Sequence, residues 1–161
     1  MLKEIVTKTV ISKGKIVDNK EYSFAINEDL SKDIGCWIIN HNFVSLVENN
    51  KTYVNGRYDV HIWYAINGSS DTRLYKQTVE YKEEIILENN NFDKDASEYK
   101  IYCIEYPTCT NLKYVDNVFV INVKKGLALD VVGESKLLIN VSDSWGQEDN
   151  NLGINPNYLN K

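Results

Sequence analysis

The sequence predicts an all-β protein, an antiparallel β-sandwich of about eight to ten strands, with an open barrel as the second choice. Apolar and polar side chains alternate almost without interruption over residues 53–64, and a period of two is typical of a strand with one buried face. The Asn67-Gly68 dipeptide lies between two such runs and predicts a hairpin. No window sustains a helical period over four turns. These observations favour antiparallel strands throughout the folded region.

The strands of the N-terminal half follow from β-branched composition and from the turn residues between them. We predict them at residues 3–12, 22–26, 36–43, 52–66 and 72–88. The long strand over 52–66 gives the sharpest expectation, because a period of two separates its two faces. Val54, Tyr58, Val60 and Ile62 are predicted to face the core, and Arg57, Asp59 and His61 to face solvent or a neighbouring subunit.

The C-terminal half predicts further short strands at residues 98–105, 112–114, 118–124 and 127–141, the last bent at Gly133. The Tyr106-Pro107 segment separates the first two of these strands. A weak echo relates Val131-x-Gly133 to Val54-x-Gly56. This echo leaves open two small tandem β units in place of one sandwich.

The composition changes after Val141. Residues 142–153 are polar and rich in asparagine, which is typical of an extended tail. The chain then ends on apolar residues around a proline, a pattern that predicts a docking peptide, with a frayed terminus as the alternative. We therefore divide the chain into a folded domain over residues 1–141 and a tail over residues 142–161. The candidate docking residues are Ile154, Pro156, Tyr158 and Leu159.

The charge balance excludes several classes of partner. The formal net charge is −5 and the pI is about 5.1, and an acidic chain without a basic stripe is a poor candidate for nucleic acid or an anionic membrane. Lysines such as Lys124-Lys125 and carboxylates such as Glu83-Glu84 are expected on solvated surfaces. No run approaches the roughly 20 apolar residues of a membrane span. The first residues lack the apolar segment of a secretory signal, so synthesis in a cytoplasm is expected.

Catalytic chemistry has little support. Asp59-x-His61 could orient an imidazole or supply two metal ligands, but a third ligand would have to come from elsewhere, for example from His41. Cys36 and His41 are five residues apart along a strand, which predicts opposite faces. The sequence has no G-x-S-x-G turn, phosphate loop or dinucleotide fingerprint. We therefore predict no enzymatic activity, no metal and no cofactor.

The three cysteines, Cys36, Cys103 and Cys109, do not form a C-x-x-C motif. A disulfide framework is not expected in a reducing compartment. Cys103 lies in the middle of a predicted strand and is interpreted as a small buried apolar residue. Cys36 and Cys109 could cross-link later if the protein ends in an oxidising shell.

Aromatic residues give a better indication of function. Trp37, Tyr53, Trp63, Tyr75 and Tyr81 are predicted to align across neighbouring strands. Such an alignment forms either cross-strand core pairs, a protein interface or a platform for stacking sugars. The sugar platform would make the chain a carbohydrate-binding β-sandwich, and a third hypothesis is a small intracellular hydrolase with a pocket around His61. On the folded domain, we predict an interaction surface that contains Trp37, Tyr53, His61 and Trp63.

Six ordered sequence blocks carry a resemblance that spans nearly the whole chain. They include Gly-x-Trp-Ile-Ile-Asn-His, Gly-x-Tyr-Asp-Val-x-Ile-Trp-Tyr and a terminal Ile-Asn-Pro-x-aromatic-Leu. In these blocks the chain resembles the outer spore coat morphogenetic protein E (CotE) family. The blocks lie at residues 3–14, 35–41, 56–64, 107–109, 131–136 and 154–159.

The resemblance implies a non-enzymatic scaffold that assembles around the developing spore. It implies self-association through the folded part and recruitment of other coat proteins, including the basement-layer coat ATPase, through the C-terminal part. It also implies a location in the mother-cell cytoplasm during sporulation and then in the spore coat. One departure affects the partners: relatives carry a long acidic run before the terminal motif, which is reduced here to residues 147–149.

Overall fold

Six long strands account for most of the fold in this computed structural model, which describes residues 2–68 and 70–140. A single turn of 3-10 helix at Lys94–Ala96 precedes the fifth strand. The strands are β1 (Leu2–Ala25), β2 (Leu30–Glu48), β3 (Lys51–Ile66), β4 (Asp71–Ile85), β5 (Glu98–Val115) and β6 (Val118–Asn140).

The strands form two three-stranded antiparallel sheets, in the orders β1-β6-β5 and β2-β3-β4. The all-β antiparallel class is confirmed, but the expected eight to ten strands are wrong, because six longer strands are present. The tandem arrangement is also wrong. The first sheet places β1 beside β6, so it joins the first and last of the six strands and is not built from one continuous half of the chain.

The strand count was overestimated because β1, β5 and β6 continue through positions that the sequence marks as breaks; in β6 this position is Lys125-Gly126. β5 passes through Pro107. Proline has no backbone N–H to donate, and an edge strand such as β5 tolerates this because one of its sides has no partner strand in the sheet. Register shifts between Cys103 and Asn111 bend β5 without ending it. In β1, Gly14 marks a close approach and not a turn, since a Cβ there would lie 2.8 Å from the carbonyl oxygen of Ile86.

The tight hairpins use residues that tolerate a left-handed backbone. Two-residue loops join β2 to β3 at Asn49-Asn50 and β5 to β6 at Asp116-Asn117, with φ values between 52° and 64°. The predicted hairpin at Asn67-Gly68 is confirmed, with φ values of 53° and 67°. Asparagine, aspartate and glycine adopt such angles at low cost, so these loops fix the pairing of their strands.

The contacts between Cα atoms divide the chain into two compact units. Residues 10–132 form the sandwich. The described part of the other unit comprises residues 2–9 and 133–140, and it contains an ion pair of 3.8 Å between Lys136 Nζ and Glu4 Oε1. The predicted tail, residues 142–161, lies outside the described residues.

The core of the sandwich is built from alternate residues of both sheets. The predicted inward face of β3 is confirmed, because Val54, Tyr58, Val60 and Ile62 are each at most 1% exposed. The opposing face comes from β6, where every second residue from 119 to 131 is buried. The members on β6 are Phe119, Ile121, Val123, Lys125, Leu127, Leu129 and Val131.

Candidate interaction surface

The outer face of the β2-β3-β4 sheet carries two exposed tryptophans close together. Trp37 on β2 lies directly opposite His61 on β3, and Trp63 follows two residues later on the same face, opposite Gly35. The side chains of Trp37 and Trp63 are 50% and 39% exposed. We call Trp37, His61 and Trp63 the tryptophan patch.

Gly35 determines how Trp37 lies. A Cβ at Gly35 would come within 2.7 Å of Cη2 in the Trp37 ring, so the indole covers this glycine. Any larger residue at position 35 would push the ring away from the sheet. The Gly-x-Trp spacing in the sequence therefore has a local structural reason, because the glycine lets the indole lie against the strand beside Trp63.

A polar ladder crosses the three strands next to the tryptophan patch. Asn40 Nδ2 donates to Asp59 Oδ2 at 2.9 Å, and Thr78 Oγ1 donates to Asp59 Oδ1 at 2.8 Å. These two hydrogen bonds lower the pKa of Asp59. Both carboxylate oxygens are thus engaged with neighbouring strands, so the ladder ties β2, β3 and β4 together on the solvent-exposed face of the sheet.

An open groove of about 540 Å³ lies beyond the ladder on the same sheet. Its floor contains Gly56, where β3 has no side chain, and the Tyr81 ring occupies the space that a Cβ would fill. Rows of alternating strand residues flank this floor on either side. The flanking residues are Asn42, Val44, Asn55, Arg57, Glu80 and Lys82.

The predicted interaction residues are only partly brought together. Tyr53 lies on the same face of β3 as His61, but eight residues along a strand correspond to roughly 26 Å. It is covered by Lys82, whose Nζ is 4.7 Å from the ring centroid. Tyr75 and Tyr81, which were expected in the same aromatic alignment, pack instead on the inner face with the core. The other four predicted residues, Ile154, Pro156, Tyr158 and Leu159, lie outside the described residues.

His41 lies on the inner face, contrary to the predicted separation of Cys36 and His41. A register shift between Ile39 and Asn42, with Asn40 at a φ of 56°, inserts an extra residue into β2 and turns His41 inward. His41 Nε2 is 2.6 Å from the Tyr81 hydroxyl oxygen. Burial, together with the charge of Lys125, lowers the pKa of His41 to about 4, so the imidazole is neutral near neutral pH.

This neutral histidine predicts a component of acid sensitivity. The pKa of His41 is lower in the folded chain than its ordinary value of about 6.5. The unfolded chain therefore binds a proton more readily, and the contribution of His41 to stability is complete above about pH 6.5 and is lost as the pH falls towards 4. We expect His41→Gln to lose less stability than the wild type between pH 7 and about pH 5. Urea denaturation at both pH values measures this.

The matched control for that measurement is His61→Gln, because His61 lies on the outer face of the sheet. If wild type and His41→Gln lose equal stability on acidification, protonation of His41 does not contribute to the acid sensitivity of the fold.

A buried ionic cluster is the main feature that sequence reasoning missed. Lys125 is 2% exposed, and its Nζ donates to both carboxylate oxygens of Asp18, at 3.1 and 3.0 Å, and to Glu83 Oε1 at 2.5 Å. The Nζ also lies 4.2 Å from the centroid of the Tyr81 ring. The expectation that Lys125 and Glu83 occupy solvated surfaces is therefore wrong.

The sequence does contain a signal for this cluster. Lys125 occupies an inward position in the alternation of β6, and Glu83 does so in β4, between Tyr81 and Ile85. Burial alone would raise the pKa of Asp18, but hydrogen bonds from Glu83 and Lys125 outweigh it and lower that pKa. Burial raises the pKa of Glu83, as does its hydrogen bond with Asp18. The two carboxyl groups therefore differ in acidity within one cluster that spans both sheets.

Within the described residues, no group of three or more histidine, cysteine, aspartate or glutamate side chains is placed to hold a metal ion. The same part of the chain contains no helix with the length and apolar character needed to cross a membrane.

Comparison with known proteins gives the candidate interaction surface its context. No curated protein and no solved structure matches the chain significantly. One family model does match, described as outer spore coat protein E (CotE), and it covers residues 1–158. The match includes the strands that carry the tryptophan patch and the buried cluster. With nearly its whole length matched, the chain belongs to the outer spore coat protein E family.

Proposed function

We propose that this protein is a non-enzymatic morphogenetic scaffold of the spore outer coat, which self-associates through its β-sandwich and recruits other coat proteins. The observation that supports this proposal best is the exposed tryptophan patch on a protein that belongs to an outer spore coat family. Tryptophan is enriched among the residues that dominate binding energy at protein interfaces. Two neighbouring indoles left half-exposed on the outer face of a sheet are best explained as such an anchor.

The unit that contains residues 2–9 and 133–140 supplies a second argument for self-association. Among the described strands, β5 pairs with β6 as far as Val132, and β1 is the other neighbour of β6 in this sheet. Two-stranded ribbons are marginally stable in water. Large apolar side chains are nevertheless exposed on this unit, which favours contact with another chain; these are Leu2, Ile5, Val6 and Leu138.

The first test measures the mass of the protein in solution. Trp37→Ser combined with Trp63→Ser is expected to weaken self-association by about 30-fold or more, because truncating an interface anchor costs about 2 kcal/mol or more. Light scattering over a concentration series measures the dissociation constant. Tyr102→Ser is the matched control, because it removes an exposed aromatic side chain from the other sheet. A wild type that stays monomeric at high concentration would overturn the scaffold.

The same measurement separates the scaffold from a carbohydrate-binding module. Two exposed indoles on a sheet also suit the stacking of sugar rings, so polysaccharide pull-down accompanies the light scattering. Retention on polysaccharide by wild type but not by the double tryptophan variant, with unchanged mass in solution, would favour sugar binding over assembly.

Recruitment is assigned in this proposal to the terminal residues 154–159. Its partners are other coat proteins, the basement-layer coat ATPase among them, and it takes place from the mother-cell cytoplasm before the protein becomes part of the coat. Ile154, Tyr158 and Leu159 supply apolar contacts, and Pro156 reduces the entropy lost on binding. Changing Tyr158 and Leu159 together to serine is expected to reduce the amount of coat protein recovered with the scaffold while self-association persists. Unchanged recovery would assign recruitment to the folded domain.

A further inference from the structure

Cys36 and Cys109 come from different sheets and meet at one side of the sandwich. Cys36 lies on β2, an edge of the β2-β3-β4 sheet, and Cys109 lies on β5, an edge of the other sheet. Several Cα atoms of these two edge strands are within 8 Å of each other, so the edges adjoin. Both cysteines are half-buried and pack against the core of residues 10–132.

Each of the two thiols is the largest influence on the pKa of the other, which places Cys36 and Cys109 next to each other. The Cys109 thiol donates to the carbonyl oxygen of Asn111 at 3.4 Å. Cys103, the third cysteine, donates instead to the carbonyl oxygen of Glu105 at 3.3 Å. The fold thus selects one pair out of the three possible ones, although 73 positions of sequence separate its members.

We propose that Cys36 and Cys109 are a site of intrachain disulfide formation, which a small-molecule disulfide oxidises and which then links the two sheets covalently. Disulfides require Cα atoms about 4.4–6.8 Å apart, with the sulfur atoms directed at each other. Cys36 and Cys109 lie on adjoining edge strands and their thiols interact, which is the proximity that such a bond needs. The partial exposure of both residues gives the oxidant access. This proposal does not depend on the tryptophan patch or on self-association.

The chemistry assigns different roles to the two sulfur atoms. The interaction with Cys36 lowers the pKa of Cys109, whereas the interaction with Cys109 raises the pKa of Cys36, with burial adding to that effect. Cys109 is therefore the attacking thiolate. It displaces one thiol from the small disulfide and forms a mixed disulfide. Cys36 then loses its proton and attacks the Cys109 sulfur, which releases the second thiol. One small disulfide becomes two thiols, and the two protein thiols become one disulfide.

A bond between these edges has a mechanical consequence. The bond closes a long loop that contains β3 and β4, and a long closed loop restricts the unfolded chain strongly. It also prevents the two sheets from separating at the side where β2 meets β5. We expect the oxidised protein to have a Tm about 10 °C above that of the reduced protein.

The test uses the full-length protein with oxidised glutathione as the small disulfide. After incubation and acid quenching, free thiols are alkylated under denaturing conditions and counted by intact mass. The reduced protein should take up label at all three cysteines, and the oxidised protein at Cys103 alone. Peptide mapping should then recover one linked pair of peptides, which contains Cys36 and Cys109.

Variants distinguish the roles of the cysteines. Cys103→Ser should form the bond normally, and Cys36→Ser should accumulate a glutathione adduct at Cys109. Uptake of label at all three wild-type cysteines after oxidation would overturn the proposal. Linkage through Cys103, or a disulfide between two chains on a non-reducing gel, would do so as well. An unchanged Tm in the oxidised protein would contradict the proposal that the disulfide stabilises the contact between the two sheets.

Discussion

Lys125→Met is expected to lower the free energy of unfolding by about 3 kcal/mol, because it leaves two carboxylates without their buried counter-ion. Asp18 and Glu83 are mostly buried, at 18% and 14% side-chain exposure, and both bond to this ammonium group. Lys20 remains within 3.4 Å of Glu83 Oε2 but is itself half-exposed, so it compensates only partly. Urea denaturation followed by tryptophan fluorescence measures the change.

The adjacent lysine provides the control. Lys124 is 46% exposed on its side chain and lies 3.6 Å from Glu105 Oε1, so Lys124→Met should change stability by less than about 1 kcal/mol. Adding Glu83→Gln and Asp18→Asn to Lys125→Met should recover part of the loss, since the uncompensated charges are then removed. Similar losses for the two lysine variants would contradict the role assigned to the buried cluster.

Val60→Asp is expected to prevent stable folding. Val60 is fully buried in the centre of β3, paired with Ile38 on one side and Gln77 on the other. A buried charge without a partner costs several kcal/mol, which is on the order of the total stability of a domain of this size. Far-ultraviolet circular dichroism and resistance to proteolysis report the loss.

The same residue introduced on the other face of β3 is the matched control. Asn55→Asp puts a carboxylate in an exposed position opposite Lys82, and we expect it to leave the fold intact. Val60→Thr keeps the shape of the side chain and replaces one buried methyl group by a hydroxyl, so a loss of about 1–3 kcal/mol should be measurable in a folded protein. Wild-type stability in Val60→Asp would mean that the inward face of β3 has been misassigned.

The local sequence pattern was sufficient to predict the all-β class, the buried face of β3 and the hairpin that follows it. Alternation over residues 53–64 identified the buried face of β3, because successive side chains of a strand must point to opposite sides. Residues that tolerate positive φ marked the hairpin at Asn67-Gly68. The strand count failed because β1, β5 and β6 each continue where the sequence suggested a break, and a bulge such as those in β5 cannot be distinguished from a turn by sequence.

The candidate interaction surface was only partly visible in the sequence. The sequence placed each of the four predicted residues on a strand, namely Trp37, Tyr53, His61 and Trp63. For His61 it also predicted the outer face of the sheet. The distance between Tyr53 and the tryptophan patch follows from strand length, but the contact of Trp37 with Gly35 required the positions of the atoms. Tyr75 and Tyr81 were misplaced because an aromatic side chain suits either face of a half-buried sheet.

The sequence by itself determined the all-β class, the buried face of β3 and the family blocks that run from residue 3 to residue 159. Only the tertiary structure decided that Lys125 meets Asp18 and Glu83 in the interior. The physical reason is that a period of two assigns each side chain to a face but carries no information about the opposing sheet. Sheet order and register, which are properties of the whole chain, set those contacts.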